Sequence, residues 1–237
     1  MPKKIRANDL DVEKIQHRSM DLDLTVRNQF KLQPAHQSFV ELTFNKPTKM
    51  VFVDGPAGSC KTYCAANVAL HLLRSRSVDE VVYIRSIIES ASRNMGSLPG
   101  EVDDKFQPWS IPLKEKLDEL LDTGVSEALF RNGFVKAIPV NYVRGLTFKN
   151  SAVIVDESQN LTFSELTTIM TRFGEGSKMI VIGDTRQSDI GNSGFKRMYD
   201  IFNDQESEEN GIYCFKFTEA DIMRSEILKF IVKKLDS

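Results

Sequence analysis

The chain has 237 residues, of which 41% are hydrophobic and 27% charged, and a formal net charge of −2. That suits a globular protein with one large α/β domain or two small ones. It excludes a disulfide framework, because only three cysteines are spread through the chain, and it gives no global electrostatic case for nucleic acid, so any such binding must rest on a local patch.

No apolar run approaches the roughly 18 residues of a membrane span, and Met1-Pro2-Lys3-Lys4 is not followed by an apolar signal core. The expectation is a cytoplasmic protein with no membrane segment. Residues 1–33 are polar without a sustained period and read as an irregular N-terminal arm ahead of one domain over 34–237. Lys3, Lys4 and Arg6 in that arm read as a solvated terminus. A helix can start at Pro34, with Phe39, Val40, Leu42 and Phe44 giving a rough apolar face.

Met50 to Asp54 is nearly all apolar, as in a strand buried on both faces. Gly55-Pro56-Ala57-Gly58-Ser59-Cys60-Lys61-Thr62 follows, then a helical pattern to about Arg74. Val78 to Ile84 predicts the next strand, ending at Arg85-Ser86. Residues 87–109 are too polar for core and read as a long excursion of the functional kind. Helical patterns resume around Leu113–Leu121 and Ser126–Arg131, and Phe134–Val140 is strand-like. A β-branched strand then runs from Ser151 to the acids Asp156 and Glu157, and Thr162 with Glu165 forms a capping box for the next helix. Lys178–Ile182 predicts a buried strand, Thr185–Ser193 a loop, and the stretch to about Phe202 a helix. An acidic surface turn over Asn203–Gly211, a strand over Ile212–Phe217 and an amphipathic helix over Met223–Leu235 complete the pattern. Strands alternating with helices predict an α/β fold, a mostly parallel sheet with helices on both faces.

Strand, glycine-rich turn and helix form the context of a phosphate-binding loop. Successive N–H groups in such a turn make an anion nest, reinforced by the positive end of the helix. Lys61 then reaches the β- and γ-phosphates of ATP, and the Thr62 hydroxyl holds Mg²⁺. One position departs from Gly-x-x-x-x-Gly-Lys-Ser/Thr: Cys60 stands where the second glycine belongs, and a Cβ there faces a close backbone approach to phosphate. A thiol at a helix N-terminus beside Lys61 is also expected to be reactive, although a small apolar role is an equal alternative.

Ligands of an open parallel sheet gather at the carboxyl ends of its strands, where Lys61, Thr62, Asp156, Glu157, Asp184 and Gln187 all fall. Asp156 is the expected water-mediated partner of Mg²⁺, Glu157 a general base for water, and Gln187 a sensor of the γ-phosphate. The plainer alternative is two acids opening a helix, where the dipole favours them, and this convergence weighs against it. His17, His36 and His71 are too scattered for a metal site, and Cys60 with Cys64 lacks a second pair for zinc. Trp109 and Phe106 read as loop packing rather than a base-stacking platform.

The loop GPAGSCKT, the strand end VDESQN and the segments TRFGEGSKMIVIGDTRQSD and NMGSLPGEVDDK together resemble the PhoH family, phosphate-starvation-inducible P-loop ATPases common in bacteria and carried by many phages. The likeness runs from about Gln37 to the last residues. It implies a single P-loop NTPase domain of RecA or helicase-core type, similar to one superfamily 1 helicase core. By resemblance Gln37 matches the glutamine that reads adenine, Arg144-Gly145 a YMRG-like stretch, and Arg224 the arginine of a DVVRH segment. Cys60 and Ser158 are departures from the family pattern.

The leading function is a Mg²⁺-dependent ATPase coupled to handling single-stranded RNA or DNA, with Arg85, Arg93 and Lys105 as candidate phosphate contacts. A low-turnover nucleotide-dependent switch or scaffold is the second class. A P-loop kinase is the third, disfavoured by the adjacent Asp156-Glu157 and by Gln187, since a kinase needs a hydroxyl acceptor pocket and no water-activating Glu. A chain long enough for one core also predicts a homo-oligomeric ring, the hexamer being the form considered, with each site completed by a neighbour's arginine. Arg224 is the first candidate finger and Arg172 the second.

Overall fold

The computed structural model describes residues 24–27, 31–86 and 102–223, together with 227 and 234. Six strands form one parallel sheet: β1 (Met50–Asp54), β2 (Glu80–Arg85), β3 (Val135–Pro139), β4 (Ser151–Asp156), β5 (Lys178–Gly183) and β6 (Ile212–Lys216), in spatial order β3-β2-β4-β5-β1-β6. The helices are α1 (Pro34–Phe44), α2 (Lys61–Arg74), α3 (Val102–Leu120), α4 (Val125–Arg131), α5 (Phe163–Met170), α6 (Phe195–Phe202) and a short α7 (Gln205–Glu209).

Alternate residues of the central strands feed two cores. Val51, Val53, Tyr83, Ile154 and Ile180 meet Phe39 of α1, most of α2 and Leu113, Leu117 and Leu120 of α3. Phe52, Val82, Val153, Val155 and Val181 meet Leu166 and Ile169 of α5 and Phe195 and Met198 of α6. Burial on both faces is why these strands read as continuous apolar runs. α2 lies close on the sheet because Ala65, Ala66 and Ala69 present little bulk there. It crosses β5 and β4 on its way from β1 to β2, which carries its first turn toward the end of β4.

Several expected boundaries shift. The helix predicted around Leu113 is the C-terminal part of α3, which starts at Val102 and runs through Pro108 and Pro112. The two prolines, which break helices in general, make that stretch read as loop, and Trp109 sits on this helix rather than in a loop. The expected surface turn Asn203–Gly211 contains the helical turn α7, capped by the Asp204 side chain on the Ser207 N–H. The arm is tied to the domain at its end: Leu24 is buried in the first core, and the Arg27 N–H donates to the Leu120 carbonyl. Of the expected helix over Met223–Leu235 only Met223, Ile227 and Lys234 are described, the last two as helical, and the expectations for Lys3, Lys4, Arg6, His17 and Arg93, and for the Lys105 and Phe106 side chains, lie outside the described residues, as does most of NMGSLPGEVDDK.

Candidate nucleotide site

β1 delivers the loop to the carboxyl edge of the sheet. The Gly55 N–H bonds the Gly183 carbonyl at 3.3 Å, and a Cβ on Gly55 would come within 2.8 Å of the Phe217 Cβ, so the turn requires glycine there. Ser59 is buried and donates its hydroxyl to the Pro56 carbonyl at 2.8 Å. The Ser59 carbonyl in turn lies 3.2 Å from Nε2 of the fully buried His36 on α1, and since a carbonyl only accepts, that nitrogen carries the proton. The His36 ring packs on Phe217 with centroids 5.0 Å apart. The neighbouring Gln37 is exposed on α1, where its amide donates to the Leu32 carbonyl at 3.1 Å, and it does not line the cleft.

Cys60 adopts φ 55 and ψ 24, the left-handed conformation glycine favours, as the N-cap of α2. A glycine preference at this position therefore has a backbone cause besides the approach of phosphate. The Cys60 side chain lines the cleft and also packs against the first core. Cys64, one turn on, is fully buried, and burial pushes its thiol up to about 12. Lys61 folds over the loop, its Nζ donating to the carbonyls of Gly55 at 2.6 Å and Pro56 at 2.9 Å. Burial lowers its pKa, and the charges of Asp184, Asp156, Glu157 and Asp54 act against that lowering.

The Thr62 hydroxyl lies 3.2 Å from both carboxylate oxygens of Asp156, across 94 residues of sequence. Asp156 is 4% exposed. Its Oδ1 also accepts the Glu157 N–H at 3.0 Å, and its Oδ2 accepts the Tyr83 hydroxyl at 2.7 Å. Glu157 has φ 51, a second left-handed non-glycine at the cleft. Strain of this kind collects at functional sites. Its Oε2 accepts from the Gln159 amide at 2.5 Å, and its Oε1 lies 3.7 Å from the Arg85 guanidinium. The Gln159 oxygen takes the Asp184 N–H at 3.2 Å, which fixes the amide orientation and links the ends of β4 and β5. Arg85, read from sequence as a phosphate contact, faces the candidate base in this structure.

Asp184 offers Oδ1 to the Arg186 N–H at 3.0 Å, while its buried Oδ2 has no hydrogen-bond partner among the described residues. Gln187 is exposed and lines the same cleft, its N–H on the Asp184 carbonyl at 3.2 Å. Asp54, at the end of β1, holds this turn: its carboxylate accepts the Thr185 N–H at 2.8 Å and the Thr185 hydroxyl at 3.0 Å, with Lys216 at 3.2 Å. After β6 the chain returns to the loop, and the Met223 N–H donates to the Gly58 carbonyl at 3.0 Å.

The resulting cleft has a volume of about 460 Å³ and is lined by two lysines, Lys61 and Lys116, against the acids Glu119, Asp156, Glu157 and Asp184. Lys116 and Glu119 of α3 pair at 2.6 Å. Among the described residues no three His, Cys, Asp or Glu side chains converge as a cage for a metal ion. The residues fit a hard cation that keeps water and phosphate oxygens in its shell, as Mg²⁺ does: the Thr62 hydroxyl and the oriented Asp156 carboxylate meet at the cleft, with Glu157 and Asp184 among its lining residues.

The structure brings together Gly58, Cys60, Lys61, Thr62, Asp156, Glu157 and Gln187. It does not bring Arg172 to them. The Arg172 carbonyl accepts the Phe148 N–H at 2.8 Å, ahead of β4 and β5, which is the opposite edge of the sheet. Arg144 is exposed beyond β3, and Arg224 lies outside the described residues. Tyr83, Asp54 and Lys116 have no role in the sequence reading. Tyr83 sits inside an apolar run and Lys116 in an ordinary amphipathic helix, so only the order of the strands and the seat of α3 reveal them.

The family model described as PhoH-like protein matches residues 30–236. A PhoH-like protein of Bacillus subtilis is 32% identical over 191 residues, 81% of this chain and 59% of its own length. A PhoH-like protein of Synechocystis is 36% identical, covering 78% of this chain and 56% of its own. Protein PhoH of Escherichia coli K12 is 32% identical, covering 76% and 51%. The matched stretch thus spans between half and three-fifths of the length of these relatives. Among solved structures, the Pif1 helicase of Candida albicans is similar over 80% of this chain and 41% of its own, at 12% identity and a TM-score of 0.35, a likeness too distant to bear on function.

Proposed function

The chain belongs to the PhoH family, and from that premise we propose that it is a Mg²⁺-dependent ATPase whose turnover is coupled to handling single-stranded RNA or DNA. The observation that carries the ATPase part is the meeting of Thr62 and Asp156 at 3.2 Å, with Glu157 next in the chain. The first residue closes the phosphate loop, the second ends a strand two places away, and a divalent cation is the ligand both suit. Four acids against two lysines make the cleft repel a bare triphosphate, so nucleotide and cation enter together. Bound Mg²⁺ would neutralise the β- and γ-phosphate oxygens. Lys61 leaves the carbonyls of Gly55 and Pro56 for the phosphates, Glu157 accepts the proton of the attacking water, and Gln187 orients that water. The nucleic-acid part is supported by the family resemblance, and Gln37 is kept as the adenine reader on that ground alone. A cytoplasmic site of action is supported by three scattered cysteines that build no disulfide framework. No helix among the described residues is long and apolar enough to cross a membrane.

A low-turnover switch is the second reading, favoured by the engagement of Glu157: with Gln159 at 2.5 Å and Arg85 at 3.7 Å, its carboxylate is occupied before any water arrives. ATP turnover with and without Mg²⁺, single-stranded RNA and single-stranded DNA separates the two. Glu157→Gln should bind ATP as wild type does and lose turnover by about 10²- to 10⁴-fold. Equal turnover in both proteins would remove the general base.

The homo-oligomeric ring belongs to the same proposal. Arg172 stands at the far edge of the sheet from its own cleft, so it reaches a γ-phosphate only in a neighbour's site, and Arg224 is kept as the family-matched candidate. Mixing Glu157→Gln subunits with Arg172→Ala or Arg224→Ala subunits should restore part of the turnover if a finger acts in trans. No recovery with either mixture would reject the shared site.

A further inference from the structure

β2 carries no motif, yet from within the core its Tyr83 reaches the central acid of the site. Tyr83 is 0% exposed, and its ring belongs to the core between the sheet and α2. Its hydroxyl is aimed at Asp156 Oδ2, 2.7 Å away and 73 residues distant in sequence. The parallel register that pairs Tyr83 with Ile154 and Arg85 with Asp156 brings the phenol to the end of β4. Asp156 is then held at three points: the Glu157 N–H on Oδ1, the phenol on Oδ2, and the Thr62 hydroxyl shared between the two oxygens. A carboxylate fixed in this way cannot rotate about its terminal bond without breaking a buried hydrogen bond.

We propose that Tyr83 is a positioning residue for the divalent cation: by holding Oδ2, as the Glu157 N–H holds Oδ1, it sets the plane of the Asp156 carboxylate, so that the carboxylate and the Thr62 oxygen are presented together to the cation and its waters. A carboxylate only accepts and a phenol keeps its proton at neutral pH, so Tyr83 donates to Asp156. Unlike a lysine or arginine in that place, a neutral donor orients the carboxylate without cancelling its charge. Partners of this kind one shell out from a metal commonly alter its affinity by 10- to 100-fold.

Because this rests on the magnesium–nucleotide reading of the cleft, the test measures cation binding itself. Mn²⁺ is titrated into the full chain with a saturating non-hydrolysable ATP analogue and followed by electron paramagnetic resonance. Tyr83→Phe removes one oxygen and keeps the ring, so the fold should hold. The expected result is an Mn²⁺ dissociation constant raised about tenfold, with analogue affinity in chelator unchanged. In an Asp156→Asn background the same substitution should add little, whereas a general packing defect would lower affinity equally in both. Unchanged Mn²⁺ affinity in Tyr83→Phe, or an equal loss in the two backgrounds, overturns the positioning role while leaving the nucleotide site standing. A wild-type chain that binds no Mn²⁺ with the analogue overturns both.

Discussion

Asp54 and Asp156 are the same residue in the same situation. Each is the last residue of a fully buried parallel strand, each opens at the carboxyl edge of the sheet, and they are 3% and 4% exposed. Their partners differ. Asp54 takes a backbone N–H and a hydroxyl from Thr185 and the ammonium of Lys216. Asp156 takes two hydroxyls and a backbone N–H. A directly paired cation cancels the charge of the first, so it serves as a clamp on the turn carrying Gln187. Neutral donors orient the second and leave its charge for a ligand. A buried acid at a strand end marks the site edge, and the sign of its nearest donors tells whether it builds the site or serves it.

The largest effect should follow the acid kept for the cation. Asp156→Ala is expected to abolish Mg²⁺-dependent turnover, and nucleotide affinity measured with Mg²⁺ should fall to the value measured in chelator. If Mg²⁺ still tightens nucleotide binding in that variant, Asp156 is not the cation's acid and the contrast with Asp54 collapses.

Asp54→Asn should act differently. It removes one strong acceptor from Thr185 and strands the Lys216 charge, but Lys216 is largely exposed, so the ion pair itself is worth ~1 kcal/mol or less. The buried hydrogen bonds to Thr185 dominate, at about 1–3 kcal/mol of folding stability. Nucleotide affinity with Mg²⁺ should survive, and turnover should drop as the turn before Gln187 loosens. Thr185→Val, which removes one of those bonds and no charge, should follow in the same direction with a smaller loss. Should Asp54→Asn instead abolish cation-dependent binding, the two acids share one role and the charge of their donors does not separate them.

The contrast also explains which parts of the site are legible in sequence. β1 with its loop, β4 with its two acids and the Thr162–Glu165 capping box are local, and each reads with little error because nearest neighbours decide it. The capping box closes as the spacing predicts, Thr162 accepting from the Glu165 N–H and Glu165 from the Thr162 N–H. The strand-end acid Asp54 is visible in sequence too, but its use is not, since Thr185 and Lys216 arrive from the neighbouring β5 and β6. Tyr83 and Arg85 escape for the same reason: the chain passes from β2 to β3, yet β2 lies between β3 and β4. That strand order, which no spacing encodes, puts the end of β2 against both Asp156 and Glu157. Arg85 reads as an outward contact to nucleic acid because a cation after a strand has no visible partner in sequence.

The smallest effect belongs to the loop that joins the two acids, since it leaves Asp54 and ends on Thr62, the partner of Asp156. Cys60 holds its last turn at φ 55. For a residue with a Cβ that conformation costs about 1–2 kcal/mol, which glycine would relieve. Cys60→Gly also gives up the packing of a half-buried thiol against the first core, worth on the order of 1 kcal/mol. The two terms nearly cancel, and glycine frees the unfolded chain as well. The thermal midpoint should therefore move by no more than about 2–4 °C, the shift that 1 kcal/mol produces in a chain of this size. Nucleotide affinity is the sharper readout. The thiol lines the cleft, so its removal should tighten binding of the Mg²⁺ complex a few-fold. If the loop geometry that Cys60 enforces is instead what holds Thr62 against Asp156, the added freedom of glycine should weaken Mn²⁺ affinity and leave analogue affinity in chelator unchanged. A loss confined to the cation would assign the strain at Cys60 to the acid of β4, and a gain in nucleotide binding would assign it to the phosphate loop alone.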